Sequence, residues 1–379
     1  MTIPHYLLRP GVHFLNHGSY GACPARVLER FHAWHRELEA QPVEFLNRRF
    51  RGLMHEARAN LGAYLNADPA RLVFVPNATH ALNIAAASIP LATGDVVLTS
   101  SHEYGATDRM WEKICAARSA RYQRVEIPVP APDAEDIAMR MLAHLTPAVK
   151  VLFMSHLTSP TALRLPVERV VPAARASGVI TMIDGAHAPG QIPLDLNLLG
   201  ADLYIGNCHK WLSAPKSAAF LSASARASAW IEPRIVSWGT PGQDCDTFVS
   251  EIEYQGTSDI CAALTVAEAI RVQEEHDWSA VRARCSALLL EAEARVGEVT
   301  GLPSIYTDPA TRCPQMVSML LPERDPMEYK TRLLEEHGVE IPVFRFDGRV
   351  MTRASAQAYN TRDDYDALVQ GIRSITAGP

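Results

Sequence analysis

The sequence predicts an α/β fold, with a large domain built on a mainly parallel sheet flanked by helices and a smaller C-terminal α+β domain. The chain has 379 residues, which favours two domains at roughly 100 to 200 residues per domain. In the middle of the chain, short apolar runs alternate with helix-like runs, an order typical of βα units. Beyond about residue 260 the pattern changes to long helices and isolated strands.

The elements of the large domain follow one another in a regular order. The run 71–75 predicts a strand, and the residues after it predict a helix that begins near the Asn77-Ala78-Thr79 segment. Gly178 ends a later helix. The predicted strands are 71–75, 96–99, 149–154, 179–183, 202–205 and 217–221, and the predicted helices are 80–88, 134–145 and 167–176.

The C-terminal part has its own pattern of elements. The segments 265–275 and 281–296 predict helices, and the second of them is amphipathic. Strands are predicted at 316–321 and 350–353, followed by a closing helix over 365–375. We therefore predict a large domain over 16–260 and a small domain over 261–379, which the first 15 residues join.

Composition excludes several classes of partner. The 36 basic and 42 acidic residues give a net charge of −6, which offers no electrostatic surface for nucleic acid. No apolar stretch approaches the roughly 18 residues of a membrane span, and the first residues lack the pattern of a signal peptide. The seven cysteines form no C-x-x-C pair and indicate reduced thiols in a cytoplasmic protein. No spacing of histidines and cysteines predicts a metal site.

Lys210 and Asp184 carry the most chemical information. Asp184 directly follows the strand-like run 179–183, and Lys210 follows the next such run, 202–205, within the segment 206–211. The carboxyl ends of parallel strands meet at one edge of a sheet. A lysine there can bond to the aldehyde of pyridoxal phosphate, and a carboxylate can keep the pyridine nitrogen protonated. The sequence therefore predicts a pyridoxal phosphate site.

Three further positions suit such a site, although each has a simpler explanation. Ala78 and Thr79 lie at a helix start, where backbone N–H groups bind phosphate, yet Asn77 also suits an ordinary helix cap. Tyr104 follows a strand and can stack on the cofactor ring, or it can pack in the core. Arg353 ends a predicted strand and can bind a substrate carboxylate, or it can form a surface ion pair.

These residues lie in stretches that resemble the class V, fold-type I pyridoxal phosphate enzymes, in particular the branch similar to isopenicillin N epimerase. The stretches run through nearly the whole chain in the order of that family, and the block from Asp184 to Lys210 is the most specific of them. The resembling stretches are 14–21, 102–104, 184–190, 209–211, 256–260 and 353–356.

The resemblance implies a role for each matching residue. Lys210 would carry the cofactor covalently and act as the proton carrier, and Asp184 would pair with the pyridine nitrogen. His187 would lie near the phenolic oxygen, and Tyr104 would stack on the ring and take part in catalysis. Thr257 would reach the phosphate of a neighbouring subunit, because such enzymes are homodimers with shared sites. Ala78, Thr79, Asn207 and His209 would bind phosphate, and Asn16, Ser159 and Arg353 would contact the amino-acid substrate.

Three departures from the family pattern concern chemistry. Cysteine desulfurases of this class have a reactive cysteine before the carboxylate-binding arginine, and nothing near Arg353 supplies one. Asn207-Cys208 stands where many relatives have serine or threonine, and Ala162 stands where glycine is usual. The changes at Asn207-Cys208 and Ala162 are compatible with cofactor binding and concern the details of substrate recognition.

The reaction favoured is carbon–sulfur β-elimination from an S-substituted cysteine. Epimerisation needs a second proton carrier on the opposite face, where Tyr104 is the one candidate, and a tyrosine phenol is a poor base at neutral pH. Epimerisation, transamination and oxidative deamination remain as alternatives. A catalytically inactive scaffold or regulator is disfavoured because Lys210, Asp184 and Arg353 are all present.

Overall fold

A mixed seven-stranded sheet forms the centre of the larger part of the molecule, within residues 3–239 and 247–377 that the computed structural model describes. The strands are β1 (His13–Phe14), β2 (Leu72–Val75), β3 (Val96–Ser100), β4 (Arg121–Val125), β5 (Val149–Ser155), β6 (Ile180–Gly185), β7 (Leu203–Asn207), β8 (Ala219–Ala223), β9 (Met316–Leu321), β10 (Val339–Glu340), β11 (Val343–Phe346) and β12 (Arg349–Ser355).

Helices surround the sheets. They are α1 (His17–Tyr20), α2 (Ala25–Ala40), α3 (Phe50–Leu65), α4 (Ala78–Ser88), α5 (Gly105–Arg118), α6 (Ala134–Ala143), α7 (Val167–Ala176), α8 (Leu196–Leu199), α9 (Ala225–Ser228), α10 (Thr247–Glu253), α11 (Cys261–Leu264), α12 (Val266–Glu275), α13 (Trp278–Thr300), α14 (Pro326–His337) and α15 (Arg362–Ala377). No described helix combines the length and the apolar character that crossing a bilayer requires.

The strand order of the large sheet is β2-β8-β7-β6-β5-β3-β4. Strand β8 runs antiparallel to both of its neighbours, β2 and β7, whereas β7, β6, β5, β3 and β4 pair in parallel. The sheet is therefore mainly parallel, which confirms the predicted fold class.

Alternating side chains divide the core into two layers, one on each face of the sheet. In β5, Val151 and Phe153 join one apolar cluster, while Leu152 and Met154 join the other. Helices α4 and α5 cover the first cluster, and α6 and α7 cover the second. Burial on both faces explains why these strands read as continuous apolar runs in the sequence.

The C-terminal part contains a second, antiparallel sheet in the order β11-β12-β9. Helix α13 packs against β9 and α15, and α14 packs against α15. Strand β1 pairs in parallel with β10, which joins the start of the chain to this part. Helix α12 packs against α2 and α3. The division of the chain between residues 260 and 261 stays a prediction.

The carboxyl ends of the parallel strands bring the chemically important loops together. Strand β6 ends on Asp184 and Gly185, and β7 ends on Asn207, three residues before Lys210. Ser155 at the end of β5 lies in register with Asp184. The loops after β2 and β3 start α4 and lead to Tyr104 at the same edge of the sheet. This convergence follows from parallel pairing, since every such strand delivers its following loop to one edge.

Gly190 allows the loop after β6 to pack directly on the segment that follows Lys210. Its φ angle is +88°, and a Cβ atom there would lie 2.4 Å from backbone atoms of Trp211 and Leu212. The Gly190 carbonyl also accepts a hydrogen bond of 3.1 Å from Nε1 of Trp278. Only glycine combines this positive φ with so close a backbone approach.

We expect Gly190→Ala to lower the free energy of unfolding by about 2 to 4 kcal/mol, because it adds overpacking to backbone strain. Gly94→Ala is the matched control, because Gly94 has φ +85° and a Cβ atom added to it would meet no other atom within 4 Å. The control should lose only about 1 kcal/mol. Urea denaturation of both variants measures the difference, and equal losses would contradict the close contact.

Candidate active site

A cavity of about 310 Å³ opens at the carboxyl edge of the large sheet. Nine of the predicted site residues line it, and the start of the chain contributes Ser19 and Tyr20. Asn16 and Arg353 join this group through hydrogen bonds, whereas Thr257 is exposed and is not part of the lining. The predicted residues in the lining are Ala78, Thr79, Tyr104, Ser159, Asp184, His187, Asn207, His209 and Lys210.

The start of α4 forms one end of the cavity. Asn77 caps the helix by accepting a hydrogen bond of 2.9 Å from the His80 N–H. The Ala78 N–H donates to Oδ1 of Asn207 at 2.9 Å, so this predicted phosphate donor already has a partner. Thr79 makes no side-chain hydrogen bond with any described residue and is exposed to the cavity. Thr79 and the helix dipole therefore supply the available anion site.

His209 lies in the cavity lining with one ring nitrogen engaged. Its Nδ1 lies 3.1 Å from the carbonyl oxygen of Ala218, so Nδ1 carries the hydrogen, because a carbonyl can only accept. Burial, followed by the charge of Lys210, lowers the pKa of His209 to about 4. The ring is therefore neutral near pH 7, and its Nε2 makes no hydrogen bond with the described residues.

Asp184 is a buried carboxylate with one oxygen available. Its Oδ1 accepts a hydrogen bond of 2.9 Å from the Ala186 N–H, and its Oδ2 has no hydrogen-bond partner among the described residues. Burial raises the pKa of Asp184, while the Ala186 bond and the charge of Lys210 act in the opposite direction. A protonated pyridine nitrogen would satisfy the available oxygen and favour the charged carboxylate.

Lys210 reaches into the same cavity beside His187. Its Nζ lies 3.1 Å from Nε2 of His187, and Nε1 of Trp211 donates to Nδ1 of that histidine at 3.2 Å. Burial, and next the guanidinium of Arg353, lower the pKa of Lys210 to about 7, although Asp184 acts against them. A large fraction of the amine is therefore the free base near neutral pH, which is the form that attacks an aldehyde.

Arg353 is a buried cation without an anionic partner among the described residues. It is 5% exposed, and it donates to the carbonyl and the hydroxyl of Ser159 at 2.7 and 2.9 Å. Its Nε is buried without a hydrogen-bond partner. Burial lowers the pKa of Arg353 to about 10, so the group stays charged at neutral pH. Since an unpaired buried charge is costly, the site is suited to binding an anion.

Helix α1 connects Arg353 to Lys210. The hydroxyl of Ser19 lies 3.5 Å from a guanidinium nitrogen of Arg353 and donates to the side-chain oxygen of Asn16. His17 lies on the other side, with Nε2 3.0 Å from the Lys210 carbonyl. Burial lowers the pKa of His17 to about 3, so it acts as a neutral hydrogen-bonding group. The sequence analysis did not assign His17 or Ser19 a role, although both lie in the stretch 14–21.

Glu103 is a third residue to which the sequence analysis gave no role. Its carboxyl group is buried between Ser100 and Ser155, and Oε2 accepts from the Ser155 N–H at 2.9 Å. Burial raises the pKa of Glu103 to about 8, against the effect of these hydrogen bonds. The group supports Ser155, which lies in register with Asp184. In the sequence, the position of Glu103 directly before Tyr104 and after a strand end is the feature that could have identified it as a site residue.

Tyr104 and Thr257 lie at the accessible side of the molecule. Tyr104 lines the cavity, is 47% exposed, and its hydroxyl makes no hydrogen bond with the described residues. This position leaves its ring available for stacking and contradicts the alternative of a packed core tyrosine. Thr257 is exposed and does not line this subunit's cavity, so its predicted phosphate contact requires a second subunit.

The structure shows where the residues that depart from the family pattern lie. Cys208 is fully buried in the apolar core rather than in the cavity. Ala162 has φ +49°, a conformation that favours glycine, so the glycine usual there has a backbone reason. The cysteines at 23, 115, 208, 261, 285 and 313 are buried free thiols, none of these described cysteines lines the cavity, and Cys245 lies outside the described residues.

A group of metal-binding side chain types lies away from the cavity. Atoms of His35, Asp259 and Cys261 come within 4.8 Å of one another. His35 and Asp259 form a hydrogen-bonded pair at 2.8 Å, and Asp259 also accepts from the Cys261 N–H. These hydrogen bonds engage Nε2 of His35 and both carboxylate oxygens of Asp259.

The cavity fits pyridoxal phosphate at three points. It has a partly neutral lysine amine, a buried carboxylate with an available oxygen, and a helix N-terminus with a free threonine. These are the groups that an aldehyde, a pyridinium and a phosphate require. The roles of the individual residues stay predictions, which the lysine chemistry can test.

We expect the rate at which the apoprotein takes up pyridoxal phosphate to rise with pH and to level off above about pH 7, the pKa of Lys210. The reason is that only the free-base amine attacks the aldehyde. Stopped-flow absorbance measures the rate, and borohydride reduction with peptide mapping should locate the cofactor on Lys210. Lys216→Met should keep the same profile, whereas a midpoint near the ordinary lysine pKa of about 10.4 would contradict the lowered pKa.

Comparisons with known proteins agree with this site. The family model described as aminotransferase class-V matches residues 14–368. The isopenicillin N epimerase of Streptomyces clavuligerus is 32% identical, over 98% of this chain and 96% of that protein. The putative L-cysteine desulfhydrase 1 of Oryza sativa subsp. japonica is 29% identical, over 97% of this chain and 84% of that protein.

A solved structure shows the same fold. The apo cysteine desulfurase from Thermococcus onnurineus NA1 superposes with a TM-score of 0.85, over 100% of this chain and 99% of that chain, at 18% identity. This likeness confirms the fold-type I prediction. Because the family model and the relatives span nearly the whole chain, the protein belongs to the class V aminotransferase family of pyridoxal-phosphate-dependent enzymes.

Proposed function

We propose that this enzyme is a lyase that cleaves the bond between Cβ and sulfur in a small S-substituted cysteine. The observation that carries the proposal is the Lys210 amine in the cavity, whose pKa burial lowers to about 7, so that a large fraction of it is the free base near neutral pH. Elimination needs one base at Cα, whereas efficient epimerisation needs two.

Arg353 supports an α-amino acid as the substrate. Its guanidinium is buried, charged and without an anionic partner among the described residues. A carboxylate bound there would gain charge-assisted hydrogen bonds and remove the cost of an unpaired charge. Ser159, Ser19 and Asn16 hold this guanidinium and its surroundings through hydrogen bonds.

The size of the cavity favours a small substrate. Its volume of about 310 Å³ lies at the lower end of the range for small-molecule sites. The cofactor must share this space, which leaves room for a short side chain. A cysteine with a small group on sulfur meets this limit.

Lys210 performs the proton transfers in this proposal. Bound pyridoxal phosphate supplies an electron sink that makes the Cα proton acidic. Lys210 removes that proton, and the electron pair left at Cα forms the Cα–Cβ double bond as the thiolate leaves. A base with a pKa near the working pH is efficient in this step. Asp184 would pair with the ring nitrogen of the cofactor, and His187 stays neutral beside the amine because burial holds its pKa well below the ordinary value.

The names of the relatives divide between two reactions, and epimerisation is the second candidate. The Streptomyces clavuligerus relative is named an epimerase, and the Oryza sativa relative is named a desulfhydrase. Tyr104 favours the epimerase, because its hydroxyl lies at the cavity without a hydrogen-bond partner among the described residues. The family resemblance implies that Tyr104 faces the side of the cofactor opposite the lysine.

Product analysis separates the two reactions. We expect the holoenzyme to convert S-ethyl-L-cysteine to pyruvate, ammonia and ethanethiol, and we expect Tyr104→Phe to keep most of this activity, since elimination does not need the hydroxyl. Parallel assays contain an L-amino acid in deuterated water, or a keto-acid acceptor. Deuterium at Cα with racemisation that Tyr104→Phe abolishes would instead establish the epimerase, and amination of the acceptor would establish a transaminase.

We also propose that the enzyme is a homodimer in which each subunit completes the phosphate end of the other site. Thr257 is exposed, and the resemblance assigns it to the neighbouring subunit. The nearby segment that packs against Tyr254 through Ser237 carries Val236 and Trp238, which are 78% and 96% exposed. Such exposed apolar side chains are typical of an interface.

The free thiols of the described cysteines support the cytoplasm as the location of the enzyme.

Mixed dimers test the shared site. Lys210→Ala and Thr257→Asp should each be nearly inactive alone, the second because its carboxylate repels phosphate. Random mixing should restore about a quarter of the sites, because half of the dimers are mixed and each has one intact site. Lys210→Ala mixed with Arg353→Ala is the control and should restore nothing, since both residues serve the same subunit's cavity. No recovery in the first mixture would contradict the shared site.

A further inference from the structure

Three side chains form a hydrogen-bonded row behind the reactive amine. Nε1 of Trp211 lies 3.2 Å from Nδ1 of His187, and Nε2 of the same histidine lies 3.1 Å from Nζ of Lys210. Trp211 is fully buried and His187 is 3% exposed, so water does not compete for these contacts. The two bonds use both nitrogens of the imidazole ring.

We propose that Trp211 is a positioning residue that fixes the tautomer of His187 and thereby holds the Lys210 amine as a hydrogen-bond acceptor. The proposal concerns the state of the site before substrate arrives. It rests on Lys210 as the residue that carries the cofactor, and it does not depend on which reaction follows.

The tautomer follows from the donors and acceptors in the row. An indole nitrogen can only donate a hydrogen bond, so Nδ1 of His187 must accept and carries no hydrogen. A neutral imidazole then has its hydrogen on Nε2. That N–H points at Nζ of Lys210, which can accept only as the free-base amine. The opposite tautomer would place the indole N–H against an imidazole N–H.

The charged groups around the row favour the same state. Burial, and then the charges of Lys210 and Arg353, hold the pKa of His187 well below its ordinary value, which excludes the doubly protonated ring at neutral pH. His209 adds to this effect on His187. Among the described residues, Asp184 is the anion that favours charged Lys210, and burial together with Arg353 outweighs its effect. The hydrogen-bonded row and the surrounding charges therefore favour the same state, a neutral His187 beside a free-base Lys210.

The position of the Trp211 ring is itself fixed. Its carbonyl accepts a hydrogen bond of 2.9 Å from Nε2 of Gln273, and its ring packs against His17 at a centroid distance of 5.1 Å. Gly190 lies directly against its backbone. Because the indole cannot turn away, its N–H remains directed at His187. A phenylalanine in its place would keep most of the packing and remove the donor.

Nitrogen-15 NMR of the apoprotein measures the tautomer directly. With labelled histidine, and with His187→Asn to assign the signals, we expect wild-type His187 to carry its hydrogen on Nε2. Trp211→Phe should shift the signals toward a mixture of both tautomers. A wild-type ring with its hydrogen on Nδ1 would overturn the proposal, and this result requires no variant of Trp211 to fold.

The pH profile of cofactor uptake supplies the second readout. In Trp211→Phe, His187 can present a bare Nε2 to Lys210 and accept from its ammonium, which raises the pKa of the lysine. The uptake rate at pH 7 should fall roughly three- to tenfold, with the rate recovered at higher pH. Trp278→Phe is the matched control, because its buried indole donates to the Gly190 carbonyl at 3.1 Å instead.

The two readouts decide the proposal together. The proposal is supported if the pH profile of cofactor uptake has a raised midpoint in Trp211→Phe and an unchanged midpoint in Trp278→Phe. The proposal is overturned if Trp211→Phe keeps the wild-type midpoint of cofactor uptake while its melting curve, close to that of the wild type, shows that the variant is folded. Absence of lyase activity in the wild-type enzyme, together with the tautomer and uptake results expected above, would count against the proposed reaction and leave the positioning role of Trp211 standing.

Discussion

Burial, with the guanidinium of Arg353 acting second, determines the protonation state of Lys210 in the cavity. Lys210 and Arg353 are two buried basic side chains that share this site with the carboxylate of Asp184. A guanidinium cannot give up its proton under these conditions, whereas an ammonium can. Lys210 is therefore partly the free base, and Arg353 remains a cation without an anionic partner among the described residues. The proposed covalent link to the cofactor and the proposed binding of a substrate carboxylate would both follow from this one electrostatic constraint.

The pairing of strands in the large sheet places the residues of the cavity next to one another. Parallel pairing brings the ends of β5, β6 and β7 side by side, so residues separated by tens of positions become neighbours. Backbone pairing extends β7 through Asn207, opposite Ala219 of β8. This extension places Asn207 beside the start of α4, where its side chain accepts from Ala78. The phosphate end and the lysine loop are thus held by the same strand.

Local patterns made some parts of this structure predictable. The helix 167–176 and the strand 316–321 have the predicted bounds, because Gly178 stops the first and polar residues flank the second. Strand β7 extends two residues beyond the predicted run, because Gly206 and Asn207 pair through their backbones although neither is apolar.

The contacts of Arg353 with Ser159 and of His17 with Lys210 join residues 194 and 193 positions apart. Tertiary packing fixes such contacts, and no local pattern records them. Helix α3 likewise went unassigned.

Helix α1 has a consequence for the biosynthesis of the enzyme. Its Gly18 N–H donates to the hydroxyl of Ser355, a residue 337 positions later, at 3.1 Å. Its neighbour Ser19 contacts Arg353, and His17 contacts the Lys210 carbonyl. Residues of α1 therefore leave the ribosome long before the partners that hold them in place. A nascent or prematurely terminated chain that ends before residue 353 lacks both Arg353 and Ser355, so these contacts of α1 form only after that segment has been synthesised.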